Sequence, residues 1–113
     1  MPFIDTKVTL PLTEEKKEAI KAKYGQAISV MNKTETYLMV GFEDNYDLYF
    51  GGNKLDKGAF VSVKVFGAAQ PAACSEMTGN VCQILGEELG IPADKIYVTY
   101  QGLSDWGWNG SNF

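Results

Sequence analysis

The same succession of hydrophobic periods occurs twice in this chain, and that repetition limits the fold more than any single residue does. Residues 3–10 (FIDTKVTL) alternate, with Ile4, Val8 and Leu10 on one side and Asp5, Lys7 and Thr9 on the other. This is the period of a strand with one buried face. Pro11 stops it, and Thr13 followed by Glu14 and Glu15 marks a helix start: a capping hydroxyl, then negative charge in the first turn. From there to about Met31, apolar residues at Ile20, Tyr24, Ala27, Ile28 and Met31 recur at helical spacing beneath a Lys/Glu-rich outer face. Residues 37–43 (YLMVGFE) supply a second strand.

After a polar, Gly-rich stretch at 44–58 the pattern returns. FVSVKVFG (60–67) sets Val61, Val63 and Val65 opposite Phe60, Ser62, Lys64 and Phe66. Pro71 suits the first turn of a helix, and Met77, Val81, Ile84, Leu85 and Leu89 form its apolar stripe. Gly90 is placed to end that helix, and KIYVTYQ (95–101) makes the closing strand. Strand–helix–strand units therefore lie at about 2–43 and 59–101, with only faint identity between them. The glycine pair in FGGNK (50–54) is too short for a phosphate-binding loop and reads as a turn.

A parallel βαβ unit is right-handed, so both helices should cover one face of a shared sheet. The other face then carries Phe3, Asp5, Lys7, Phe60, Ser62, Lys64, Tyr97 and Thr99. That mixture is too polar for a dry core and too aromatic for an ordinary wet surface, which suggests enclosure by other subunits. Periodicity leaves two packed βαβ units and a ferredoxin-like βαββαβ sheet equally open.

At 113 residues and 45% hydrophobic, the chain is one domain, able to bury roughly two-thirds of its unfolded surface. A net charge of −4 argues against nucleic acid, which is held largely through Lys and Arg on phosphates. No segment approaches the ~20 apolar residues of a membrane span. The start shows no basic-then-apolar leader, so a cytosolic setting is the default expectation. Cys74 and Cys82 fit no metal-binding spacing. On one helix they would stand about 12 Å apart along its axis, too far for a bridge.

Histidine is absent. The commonest general base, the Ser-His and Cys-His nucleophile pairs and the commonest transition-metal ligand go with it. What remains is Met-Pro at the start. Removal of Met1 would leave Pro2 with a free secondary amine, and an α-amino group titrates at roughly 7.7–8. An apolar pocket or a nearby cation lowers that value toward neutrality, where a group can both accept and donate a proton. The alternative is a proline that only pre-sets the chain ahead of a strand.

Several landmarks carry a family resemblance when read together along the whole chain. They are MPFI at the start, MNK (31–33) closing the first helix, Tyr37 soon after, FGG (50–52), a strand ending at Gly67, and IYVTYQGLSDWGWNGSNF (96–113). This order resembles the macrophage migration inhibitory factor family of the tautomerase superfamily, with a small deletion between Tyr100 and Trp108. The resemblance implies an α+β, two-layer sandwich: a four-stranded mixed sheet with two helices on one face. It also implies a homotrimer with intersubunit active sites around a central channel.

By the same resemblance Pro2 is the catalytic residue, a general acid–base in keto–enol tautomerisation of a small α-keto acid such as phenylpyruvate, without metal or organic cofactor. Lys33 would bind the substrate carboxylate and depress the Pro2 pKa, with Lys64 as an alternative anion partner. On residues alone, Lys33 is equally a lysine suited to a helix C-terminus. Strand residues Val65 and Phe66 would border the pocket, Phe66 through its backbone N–H. Tyr97 (from the adjacent subunit), Trp108 and Phe113 would form an aromatic wall, Tyr37 its rim, and Trp106 would narrow or cap it. The family's CxxC would fall near Lys57–Phe60, where neither cysteine is present, so no thiol-oxidoreductase activity is expected. Thr99 stands where vertebrate members have a pocket asparagine. A second role comes with the resemblance: cytokine-like signalling through a host receptor, outside the cell but without a signal peptide.

Overall fold

A computed structural model describes residues 1–113. In chain order the elements are β1 (Pro2–Val8), α1 (Glu14–Ala27), β2 (Met39–Glu43), β3 (Tyr49–Phe50), β4 (Asn53–Lys54), β5 (Ala59–Phe66), α2 (Pro71–Leu89), β6 (Ile96–Leu103), β7 (Gly107–Trp108) and β8 (Ser111–Asn112). Both sequence repeats are present as βαβ units, and the alternative left open by periodicity is settled by pairing. The main sheet runs β2-β1-β5-β6. β1 pairs in parallel with β2, and β5 in parallel with β6, while β1 and β5 meet antiparallel. Each unit thus keeps its own two strands together, whereas a ferredoxin-like sheet would interleave them. The result is a four-stranded mixed sheet backed by two helices.

Local chemistry explains the helix limits. The Thr13 side chain accepts from the Lys16 N–H at 3.1 Å, capping α1 ahead of Glu14 and Glu15. Pro71 opens α2, and Gly90, at φ 68°, ends it in the left-handed conformation that a side chain would strain. α1 closes earlier than the periodicity suggests: after Ala27 the chain tightens into a 3₁₀ turn over Ile28–Met31. The second strand is likewise shorter than 37–43. Tyr37 belongs to a 3₁₀ turn at Glu35–Tyr37, and extended structure starts at Met39.

The core lies between sheet and helices. Ile4 and Val8 of β1 and Val61, Val63 and Val65 of β5 face Ile20 and Tyr24 of α1 and Met77, Val81 and Leu85 of α2. Burying each large aliphatic side chain contributes about 1.5–3 kcal/mol. One polar residue, Thr6, is fully buried with them, and its hydroxyl pairs with that of Tyr24 at 2.8 Å. Across the outer surface Lys16 and Lys23 reach from α1 to Glu87 and Glu88 on α2. Such exposed pairs are screened by solvent and add little to stability. No helix is long and apolar enough to cross a membrane.

β1 is a central strand, yet it begins on a proline. Pro2 is tolerated because it occupies the first position, where the ladder is only starting. That placement sets the head of the chain against the end of β5, and the site is built there.

Candidate active site

Pro2 is buried and sits opposite Val65 in the β1–β5 register. One residue before it, the Met1 carbonyl accepts the Phe66 N–H at 2.9 Å. The Phe66 carbonyl in turn accepts from the Lys33 ammonium at 2.8 Å. Lys33 reaches this point because Asn32 adopts a left-handed conformation (φ 58°) after the 3₁₀ turn and reverses the chain toward the sheet. Gly67 adds a third tie, its N–H donating to the Leu103 carbonyl at 2.8 Å. The end of β5 is therefore held from three sides, and Phe66 presents its N–H to the head of the chain.

Around Pro2 opens a cleft of about 660 Å³, within the range of small-molecule sites. Its floor is Met1, Pro2 and Phe3. Thr36, Tyr37, Leu38 and Met39 form one wall, and Lys64, Leu103, Asp105, Trp106 and Trp108 the other. The second wall exists because the chain after β6 folds back as a hairpin, β7 with β8, across Asn109 and Gly110. Both turn residues have positive φ, 52° and 89°. Asn-Gly supplies that conformation with little strain. The Phe113 N–H fastens the hairpin to the Trp106 carbonyl at 3.1 Å.

Aromatic rings continue from the cleft in an unbroken run. Tyr37 meets Trp108 edge-on at 5.9 Å between centroids, Trp108 stacks on Phe113 at 6.2 Å, and Phe113 lies 5.3 Å from Phe66. These are ordinary aromatic-pair separations. Tyr37, Trp108 and Phe113 nevertheless remain about half exposed, so the run is an open wall.

The residues nominated from the sequence thus divide into three groups. Pro2, Lys33, Tyr37, Lys64, Phe66, Trp106, Trp108 and Phe113 all gather at this end of the sheet. Val65 gathers with them only through its backbone. Strand alternation turns its side chain into the core, where it is 1% exposed, so that side chain does not line the cleft. Tyr97 stands elsewhere in the same chain. It pairs with Phe60, packs against Phe50 at 5.4 Å, and lies five residues along β6 from the Pro2 level, roughly 16 Å away. Phe3, Thr36, Leu38, Met39, Leu103, Asp105 and Gly107 are cleft residues that the sequence reading did not nominate. Phe3 was legible from its place beside Pro2. Asp105 was not, because its position depends on the hairpin that follows.

The local electrostatics act on the amino group of Met1. Burial, and then the Lys33 charge, hold the amino group at the head of the chain below its ordinary range. Cys74 and Cys82 both lie on α2 as free thiols, and burial raises their pKa, which leaves them poor nucleophiles. No three Cys, Asp or Glu side chains converge as a set of metal ligands.

Comparison with known proteins gives a consistent match. A family model described as macrophage migration inhibitory factor (MIF) matches residues 1–113. The crystal structure of Leishmania major MIF2 superposes with a TM-score of 0.94 at 34% identity, over 100% of this chain and 97% of that one. A macrophage migration inhibitory factor homologue from Prochlorococcus marinus gives a TM-score of 0.88 at 28% identity, covering 98% of each chain. A curated macrophage migration inhibitory factor homolog of Trichinella spiralis is 24% identical over 115 residues, spanning 100% of both.

Proposed function

The chain belongs to the macrophage migration inhibitory factor family, and from that premise we propose that it is a keto–enol tautomerase of phenylpyruvate-type α-keto acids, with Pro2 as general acid–base once Met1 is removed. The observation that carries this reading is the placement of Pro2, buried at the floor of an aromatic-walled cleft beside a fixed N–H donor and the Lys33 cation. With Met1 in place the Pro2 nitrogen is an amide and has no basicity. Without Met1 it is a secondary amine, and the Phe66 N–H loses its Met1 acceptor.

The reaction follows from these groups. A substrate carboxylate takes up the Phe66 N–H on the Lys33 side, which places the carbon next to the carbonyl near Pro2. The proline nitrogen accepts a proton from that carbon, and the C–H electrons move to give an enolate. Lys33 stabilises the negative charge as it develops. The prolinium then returns the proton to oxygen as the enol forms, so nothing is consumed. The aromatic run from Tyr37 to Phe113 covers the aryl group.

The active assembly in this reading is a homotrimer, supported by two features of the single chain. Tyr97 is largely exposed and roughly 16 Å from its own Pro2, so it can serve only a neighbour's site. The outer edges of β2 and β6 also have no strand beside them, as an edge awaiting a partner does.

Intact mass of the purified protein should show loss of Met1. Phenylpyruvate tautomerase activity should then fall at least 100-fold in Pro2→Ala. Full activity with Met1 retained, or an unchanged rate in the variant, would sink the reading.

A further inference from the structure

Seven of the ten lysines make ion pairs with carboxylates. Lys33 is bound to the Phe66 carbonyl. Of the two that remain, Lys57 and Lys64, only Lys64 lines the cleft. The strand register explains its position. Lys64 lies opposite Phe3 in the antiparallel β1–β5 pair, so its side chain rises from the same face as Phe3, one residue from Pro2. Phe66, two residues on, shares that face, with Lys33 bound to its carbonyl. The site therefore has two cations with different duties: Lys33 is tied into the β5 terminus, and Lys64 is free within the cleft. The single carboxylate of the cleft, Asp105, stands in the segment between β6 and β7. It makes no ion pair with Lys64, and it disfavours a second anion on its own side.

We propose that Lys64 is a specificity residue that selects α-keto acids carrying a second anionic group, with the first carboxylate on the Lys33 and Phe66 side and the second at Lys64. The inference rests on the tautomerase reading and narrows its substrate class: the preferred substrate is a 2-oxo dicarboxylate with an apolar or aromatic spacer. The cleft of about 660 Å³ and its aromatic wall accommodate such a spacer. An exposed ion pair of this kind improves binding by up to about fivefold, and exclusion of water strengthens it.

The test compares phenylpyruvate with its 4-carboxyphenyl analogue by kcat/KM in the processed wild-type protein, Lys64→Met, Lys64→Arg and Asp105→Asn. The carboxylated substrate should be preferred about fivefold in the wild type. That ratio should collapse to one or below in Lys64→Met, survive in Lys64→Arg, rise in Asp105→Asn and decline with added salt. A wild-type ratio of one, or a preference untouched by Lys64→Met, overturns the proposal. If neither compound turns over, the tautomerase reading fails and calorimetric Kd values decide this one: a Lys64-dependent preference upholds it, and equal affinities overturn it.

Discussion

The main-chain N–H of Phe66 donates to the Met1 carbonyl at 2.9 Å. One covalent event, cleavage after Met1, therefore changes two groups. It creates the Pro2 amine and unpairs a donor that the Lys33 and Gly67 ties keep fixed. An unpaired donor in a partly enclosed site costs about 1–3 kcal/mol, which a ligand oxygen recovers. The Phe66 amide resonance should thus shift upfield in the processed protein relative to a form that keeps Met1. Adding a non-reacting aryl carboxylate should reverse that shift in the processed form only. A Phe66 resonance indifferent to both changes would remove this N–H from the site.

Activity should follow the ionisation of that amine. Burial first, and the Lys33 charge second, depress the amino group at the head of the chain. In the proposed processed form the amine is that of Pro2, one residue further in and buried, and the same direction of shift is expected of it. Below its pKa the ammonium form cannot accept a proton, so kcat/KM should fall as pH decreases through a value under the ordinary 7.7–8 of an α-amino group. Lys33→Met removes the smaller cause and should move the limb upward while leaving it below that ordinary range. A limb above 8 in the wild type, or a downward move in the variant, contradicts the assignment.

Much of this architecture was legible because it is written in local chemistry. Thr13, Pro71 and Gly90 mark helix ends by mechanisms that act within one turn, and each stands where those mechanisms require. Alternation placed Val61, Val63 and Val65 in the core; the same alternation withdraws the Val65 side chain from the cleft. The site was less legible wherever it depends on chain reversals. The Asn109–Gly110 pair was a hairpin signal in plain view, yet two-residue strands have no period to detect. Asp105 becomes a cleft residue only because the chain beyond β6 turns back. Thr6 sits in an apolar alternation without an obvious partner, because Tyr24 is 18 residues away on another element.

The end of β6 should tolerate no side chain at Gly102. A Cβ there would run into the Gly67 carbonyl and stand 3.1 Å from the Ala69 nitrogen, both of them backbone. Gly102→Ala should therefore push β6 from β5 at the level of Val65 and Pro2, loosening the Gly67–Leu103 tie and the hairpin beyond. Activity should drop at least tenfold, and stability by about 1–3 kcal/mol. Gly110 offers the contrast: its surroundings are open, though its positive φ strains any side chain. Gly110→Ala should cost stability through conformation alone, about 1 kcal/mol. Equal activity losses in the two variants would contradict the steric argument.

The buried hydroxyl pair gives a prediction that bears on the core alone. Thr6 and Tyr24 are both fully buried and satisfy one another at 2.8 Å, and burial raises the Tyr24 pKa well above its usual value. Net, such a bond contributes about 0.5–1.5 kcal/mol, whereas stranding one partner costs about 1–3 kcal/mol. Thr6→Val should therefore destabilise the protein by more than the bond itself contributes, because the Tyr24 hydroxyl loses its partner in an apolar core. Tyr24→Phe should do the same to Thr6. The double variant should recover much of that loss, giving a coupling of about 1–2 kcal/mol in a double-mutant cycle. Urea unfolding at one fixed protein concentration measures all four proteins on a common basis. Strictly additive single losses would show that the two hydroxyls find other partners when separated.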